Sequence, residues 1–255
     1  MPRSRLQRHG KFRRTPKVRP TVLVTGGSGG IGRAICVAFG KAGWRVGVHY
    51  RTHAQDATRT AASVRKHGGT AMLLQADVRD GKQTQEMVAQ LVDRWGRLDV
   101  MVCNAGVASG ALVLRAGAEV WATVVDTNLT GTFHCLRAAG SVMVAQRDGA
   151  IIVIGSLAGV QGTAGQAAYA AAKAGLLALM KTAAKEWGRQ NVRVNAVLPG
   201  WHKTALAGEA FPDEAPAGHV LDRTSSLKEV AHIIYQLALL RDSSGQVWNL
   251  DNRII

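Results

Sequence analysis

The stretch T-V-L-V-T-G-G-S-G-G-I-G, Thr21 to Gly32, decides the fold. Its first five residues are a short apolar, β-branched run, the composition of a buried strand. Glycines follow at Gly26, Gly30 and Gly32, and then R-A-I-C-V-A-F-G-K-A-G, with apolar residues at helical spacing and Gly43 closing the helix near Lys41. A strand, a glycine-rich turn and a helix in that order form the context that a dinucleotide-binding turn requires. Glycine permits the tight turn, lets backbone approach a pyrophosphate and allows close helix–strand packing. The open N–H groups of the helix then face the phosphates. Gly26, Ser28, Gly30, Ile31 and Gly32 are the candidate cofactor contacts of this turn.

Outward from this stretch, strands and helices alternate. Strands are expected at Arg45–Tyr50, Ala71–Gln75, Leu98–Cys103, Ala150–Ile154, Val192–Val197 and Gln246–Leu250. Helices are expected at about 54–67, 81–95, 117–145, 168–189 and 227–240, and residues 201–226 read as irregular. Near-continuous apolar strands alternating with helices predict an α/β fold, a doubly wound, Rossmann-type and mainly parallel sheet of about seven strands covered on both faces. No linker divides the chain after residue 20, and no repeat of solenoid period occurs, so residues 21–255 read as one domain.

The chain has 255 residues, enough for a sizeable core, and a net charge of +15. Residues 1–20 hold eight arginines and lysines and no acid; the remainder carries 24 basic against 17 acidic residues, or +7. The first 20 residues therefore read as a basic, flexible tail, either dispensable or a docking arm for a polyanion. No apolar run reaches the roughly 18 residues of a membrane span. No secretory signal is visible, and Cys36, Cys103 and Cys135 stand apart in apolar settings. A reduced, cytoplasmic protein without a metal site is the expectation.

The second informative stretch is S-L-A-G-V-Q-G-T-A-G-Q-A-A-Y-A-A-A-K, Ser156 to Lys173. If Tyr169 opens a helix, Lys173 lies on the same face one turn on. A neighbouring ammonium favours phenolate and brings the phenol toward proton transfer at working pH. By itself this spacing is a common accident on helices. The end of the second strand distinguishes the cofactor. Sites for NAD carry an acid there to bond the ribose hydroxyls. Here the strand runs into Arg51, with Arg33 beside the glycine turn, and a guanidinium suits a 2′-phosphate. The expected cofactor is NADP(H).

Together these residues resemble the short-chain dehydrogenase/reductase family from residue 21 to about 250. The likeness rests on Thr25-Gly26 through Gly30 and Gly32, Asp77-Val78, Asn104-Ala105-Gly106, Asn128 in D-T-N-L-T-G, Ser156, Tyr169, Lys173 and Pro199-Gly200. The stretches T-N-L-T-G-T-F and G-T-A-G-Q-A-A-Y-A-A-A-K-A-G look most like the 3-oxoacyl-[acyl-carrier-protein] reductase branch. The resemblance implies a role for each position. Asp77 and Val78 border the adenine, and Asn104, Ala105 and Gly106 line the cofactor. Asn128 holds a water chain to Lys173. Ser156 bonds the substrate carbonyl, Tyr169 donates the proton, and Lys173 bonds the nicotinamide ribose and lowers the Tyr169 pKa. Pro199, Gly200 and Thr204 hold the nicotinamide end. Singly, Asn128 would cap or bend a helix, Asp77 would be a turn residue and Ser156 a loop hydroxyl.

The implied activity is NADPH-dependent reduction of 3-oxoacyl thioesters carried on acyl carrier protein or coenzyme A, in fatty acid biosynthesis. A sugar, polyol or other alcohol dehydrogenase of the same family is the alternative. A nucleotide-sensing or nucleic-acid-binding regulator is disfavoured, because a sensor has no use for a proton relay. The family suggests a homotetramer or dimer built by pairing the helices at about 117–145 and 168–189. An acidic carrier protein would be steered by basic residues, with Arg137, Lys185 and Arg189 as candidates. The loop 201–226 reads as a lid with Trp201, Lys203 and Phe211, and His202 as an exposed loop residue. The chain ends in L-D-N-R-I-I where many family members carry a glycine pair. That departure puts the subunit interface in doubt, while the last apolar residues suggest burial against a partner.

Overall fold

The computed structural model describes residues 19–204 and 218–253. Most of the expected tail, the part of the loop that contains Phe211, and the two terminal isoleucines lie outside the described residues.

Seven strands, β1 (Thr21–Val24), β2 (Arg45–Tyr50), β3 (Thr70–Gln75), β4 (Val100–Cys103), β5 (Gly149–Ile154), β6 (Val192–Leu198) and β7 (Val247–Asn249), form one sheet in the order β3-β2-β1-β4-β5-β6-β7. Every neighbouring pair is parallel. The helices are α1 (Gly30–Lys41), α2 (Ala54–Lys66), α3 (Gly81–Trp95), α4 (Ala118–Val125), α5 (Gly131–Gln146), α6 (Ala158–Gln161), α7 (Ala167–Trp187) and α8 (Leu227–Leu239).

Alternate residues of each strand point to opposite faces, and the core divides accordingly. On one side Leu23, Met101, Ile151, Val153 and Val194 meet Met87, Leu91, Leu136, Met143, Leu176 and Met180 from α3, α5 and α7. On the other, Val22, Val46, Val48, Val102 and Ile152 meet Ile35, Phe39, Ala61, Val64 and Ile234 from α1, α2 and α8. Phe39, Trp44 and Tyr235 stack edge-to-face at the second layer, with Phe39 and Trp44 centroids 4.9 Å apart. Cys36 sits in the second core, Cys103 and Cys135 in the first, all as free thiols. Among the described residues no helix is long and apolar enough to cross a membrane, and no group of ligating side chains is placed to hold a metal ion.

Three features depart from the sequence expectation. The helix expected over 117–145 is interrupted: α4 passes through a π-helical turn, Asp126–Thr130, into α5. Such turns insert one residue into the helical ladder and are common at functional sites. A short helix, α6, fills part of the segment between Ser156 and Tyr169. His202 is buried rather than exposed, its Nε2 2.8 Å from the Pro199 carbonyl.

Residues 251–253 fold back on the last part of the segment 201–226. Asp251, fully buried at its side chain, is gripped by the Arg253 guanidinium, and His219 Nε2 lies 3.7 Å from its carboxylate. His219 and Arg253 form an antiparallel bridge, and Asn252 Nδ2 donates to the Arg223 carbonyl at 2.6 Å. An ion pair thus closes the described C-terminal residues.

Candidate active site

The sheet order reverses between β1 and β4, and a crevice opens there at the carboxyl ends of the strands. Thr25 fixes its floor. The Thr25 hydroxyl donates to the Val102 carbonyl at 3.3 Å and accepts from the amides of Asn104 and Ala105 at 2.9 and 3.0 Å. Asn104 returns the contact, its Nδ2 donating to the carbonyls of Thr25 and Gly26.

The glycine turn sits above this floor. Gly26 has φ +64° and Gly30 φ +53°, a backbone region that side chains disfavour. A Cβ on Gly32 would stand 2.2 Å from the Gly26 carbonyl oxygen, so this position admits only glycine without backbone movement. Ser28 is half-buried within the turn, and Ile31 packs on the second core. Gly29, at the N-cap of α1, makes no side-chain cap, has open space around it, and no acid stands in the first turn of α1. The free amides and the dipole of the helix therefore meet no competing anion from the first turn. These features fit a pyrophosphate. Thr204 lies against Gly30, its Cγ2 3.2 Å from where a Cβ would be, so the far side of the crevice reaches the turn.

At the other end, Arg51 immediately follows β2, half-exposed, 3.9 Å from Asp77 Oδ2. Asp77 follows β3 and is held in a bidentate pair by Arg79, which lowers its pKa; the Arg51 charge contributes in the same direction. Val78 is buried beside it, against Gly131 at the start of α5. The arginine expected to read a 2′-phosphate thus stands next to the carboxylate expected at the adenine.

Across the crevice, Ser156 follows β5, Tyr169 lies in the first turn of α7, and Lys173 lies one turn further. The Lys173 ammonium is 5.6 Å from the centre of the Tyr169 ring and donates to the Ile154 carbonyl at 2.7 Å. Gly159 of α6 packs on the backbone of Lys173: a Cβ there would come within 2.6 Å of its carbonyl carbon. The loop leading to Tyr169 is tied down by Ala111, whose amide donates to the Gly165 carbonyl at 2.7 Å. Asn128 is wholly buried in the π-turn. Its Oδ1 accepts from the Val107 amide at 3.0 Å and its Nδ2 donates to the Val107 carbonyl at 2.8 Å. Gly106 makes room for this, since a Cβ there would fall 2.5 Å from Asn128 Oδ1. Pro199 and Gly200 follow β6; the Pro199 carbonyl is held by His202 and by the Ser225 hydroxyl, and Gly200 has φ +86°.

The electrostatics differ from the simple picture of an ammonium lowering a phenol. The Tyr169 phenol is pushed above its ordinary value, chiefly by burial, against a smaller lowering from its hydrogen bond with Ser156. Burial also depresses Lys173, to about 8, partly offset by Cys103. Desolvation wins at both groups because the ammonium is itself taken out of water and turned toward Ile154. The consequence is a phenol that stays protonated through neutral pH beside an amine close to its own titration point.

The expected carrier-protein contacts lie elsewhere. Lys185 and Arg189 are exposed, but Lys185 is sixteen residues beyond Tyr169 along the same chain segment, about 24 Å at 1.5 Å per residue. Arg137 lines a groove between α5 and α7 with Phe133, Gly140, Leu179 and Trp187. These cations do not rim the crevice. Conversely, Thr25, quoted with the glycine motif but given no role, and His49, not singled out at all, take part in the site. Thr25 directly precedes the quoted glycines, and a histidine inside the apolar run V-G-V-H-Y is the only sign of the other.

Comparison with known proteins agrees with this geometry. The short chain dehydrogenase family model matches residues 20–215. A Synechocystis sp. protein named 3-oxoacyl-[acyl-carrier-protein] reductase is 37% identical over 236 residues, covering 91% of this chain and 96% of its own. A Staphylococcus aureus protein named 3-oxoacyl-[acyl-carrier-protein] reductase FabG is 39% identical over 198 residues, 78% of this chain and 80% of its own. Among solved structures, a tryptophan variant of actinorhodin polyketide ketoreductase with NADPH superposes with a TM-score of 0.85 at 32% identity, covering 92% of this chain and 96% of that one. The chain belongs to the short-chain dehydrogenase family, as an oxidoreductase built around a nicotinamide-cofactor crevice.

Proposed function

We propose that the chain is an NADPH-dependent reductase of 3-oxoacyl thioesters, with Tyr169 as the proton donor. The observation that carries the reading is the convergence of Ser156, Tyr169 and Lys173 across a crevice whose opposite wall is an uncapped helix N-terminus behind a glycine turn. The names of the two relatives support the substrate class, and Arg51 beside Asp77 supports the phosphorylated cofactor.

Gly26, Ser28, Gly30, Ile31 and Gly32 would hold the pyrophosphate, Arg51, Asp77 and Val78 the adenosine end, and Asn104, Ala105, Gly106, Pro199, Gly200 and Thr204 the remainder. The bound nicotinamide supplies a hydride. Ser156 and Tyr169 donate hydrogen bonds to the carbonyl oxygen, on which negative charge grows as its carbon is reduced, a contribution of about 3 kcal/mol per donor in a dry site. Tyr169 then gives its proton to that oxygen, and the 3-hydroxyacyl product is complete. Lys173, charged, would bond the ribose and steady the phenolate left behind. Asn128, locked to Val107, fastens the π-turn between α4 and α5 to the loop after β4 and would support the path by which the proton is restored. The α5–α7 groove, with Phe133 exposed and Trp187 packed on Gly140, is the face through which two copies would pair.

The test is NADPH and NADH oxidation with acetoacetyl thioesters of acyl carrier protein and coenzyme A, beside a panel of simple ketones and sugars. Tyr169→Phe is expected to lower kcat by roughly 10²–10⁴-fold while NADPH still binds. Activity surviving that change refutes the assigned acid, and turnover of sugars or simple ketones but no thioester refutes the substrate class.

A further inference from the structure

We propose that His49 is a positioning residue for cofactor binding, its neutral imidazole fastening the glycine turn to the loop at the adenine end. The inference rests on the reading of that turn as a dinucleotide site.

His49 lies on β2 with 2% of its surface exposed. Both ring nitrogens are used. The Gly26 amide donates to Nδ1 at 3.0 Å, and Nε2 lies 3.0 Å from the Ala76 carbonyl. A backbone amide can only donate, so Nδ1 carries the lone pair and Nε2 the proton that is given to Ala76. No acceptor is left for a second proton, because a protonated Nδ1 would face the Gly26 N–H. Burial acts in the same direction on the imidazole, and only the Ala76 carbonyl and the Asp77 charge oppose it.

The ring is one of two holds that His49 has on the turn. Its own carbonyl accepts from the Gly27 amide at 2.8 Å. Two consecutive amides of the turn are therefore pinned by one residue, one through backbone and one through side chain. Gly26 is in the left-handed region, and its carbonyl is taken by Asn104 Nδ2 at 3.2 Å. The Gly26 residue is thus fixed from both sides by side chains, which keeps the turn in shape before any ligand arrives. At the far end, Ala76 directly precedes Asp77 and Val78. One imidazole spans the distance between the pyrophosphate turn and the adenine loop, and so sets their separation. A site whose order is established beforehand binds more tightly than one that must be ordered by its ligand.

The test uses the full chain and three variants, His49→Leu, His49→Asn and His49→Gln, with NADPH and NADH titrated by fluorescence beside melting curves and steady-state kinetics. In His49→Leu the dissociation constant and KM for NADPH are expected to rise about tenfold together, with kcat at saturating NADPH within about twofold of wild type. Asn places Oδ1 where Nδ1 stands and restores the acceptor for Gly26 but not the bond to Ala76, so His49→Asn is expected to bind about threefold more weakly than wild type, between wild type and the Leu variant. Gln reaches toward Ala76 but offers Gly26 nothing, so it is expected to follow Leu. A purely structural histidine would lower the melting temperature of all three without separating Asn from Gln. If His49→Leu does not fold, equal NADPH affinity in the Asn and Gln variants overturns the proposal. Tight NADPH binding that is the same in wild type and all three variants overturns the role of His49 alone. A wild type that binds neither cofactor overturns the reductase reading and this role with it.

Discussion

Lys173 is kept charged at neutral pH at a cost to the fold, and Lys173→Met exposes that cost. The group is 5% exposed, and burial lowers its pKa from 10.5 to about 8. A depression of that size corresponds to about 3 kcal/mol of destabilisation wherever both the folded and unfolded chains carry the charge, that is, below about pH 8. Between about pH 8 and 10.5 the folded chain has lost this proton and the unfolded chain has kept it, so stability rises by about 1.4 kcal/mol per pH unit. Above that window the pH has no further effect through this group. Methionine removes the charge and fills much the same volume, but it leaves the Ile154 carbonyl without its donor, a loss of about 1 kcal/mol. The Met variant is therefore expected to be about 2 kcal/mol more stable than wild type at pH 7, and about 1 kcal/mol less stable near pH 10.5. Guanidinium unfolding of both proteins across that range measures the difference, in which other titrating groups cancel. A difference that does not change with pH refutes the reasoning. The same titration is expected in kinetics, with kcat/KM for varied NADPH falling above about pH 8, because that ratio reports the free enzyme.

Three further outcomes follow from the geometry. Arg51→Glu places a second carboxylate beside Asp77; NADPH affinity is expected to fall by roughly 10–100-fold with NADH affinity unchanged or improved, as ligand titration would record. Gly32→Ala forces a methyl group into the Gly26 carbonyl, and is expected to cost about 1–3 kcal/mol of stability together with NADPH binding, measured by unfolding and titration. If two copies pair through the α5–α7 groove as proposed, Phe133→Glu on its rim is expected to lower the mass measured by light scattering toward that of a monomer; an oligomer of unchanged mass would remove that face from the proposal.

Much of the architecture was legible because most strands are largely apolar runs and several helices, α2 and α3 among them, carry one apolar face. Leu23 and Val24 could be assigned to opposite cores from alternation alone, and the structure places them so. The spacing of Tyr169 and Lys173 translated directly into one helical turn. What the pattern did not disclose has identifiable physical causes. The π-turn at Asp126–Thr130 keeps helical dihedrals at its flanks, with φ near −60° at Val125 and Gly131, and leaves the composition of a continuous helix. The burial of His202 depends on Ser225 and Asp251, which the fold brings against it from distant sequence, besides its local contact with Pro199. The direction of the Tyr169 shift is a matter of solvent access, and spacing carries no information about how deeply a pair is sunk. His49 was overlooked because a single histidine in a strand gives no periodic signal, and its partners Gly26 and Ala76 come from two other strands' ends.

The Thr25 hydroxyl has a kinetic consequence. It bridges the ends of β1 and β4 at the place where the strand order reverses, so the two halves of the sheet meet at this group. The amides of Asn104 and Ala105, half-buried at the floor of the crevice, both end on it. Each amide exchanges only when its bond to Thr25 opens, which requires the end of β4 to part from the end of β1. Their exchange is therefore expected to be slower than that of exposed amides on the rim of the crevice. A side chain one methyl larger than serine thus sets how long the floor of the crevice stays closed between one opening and the next.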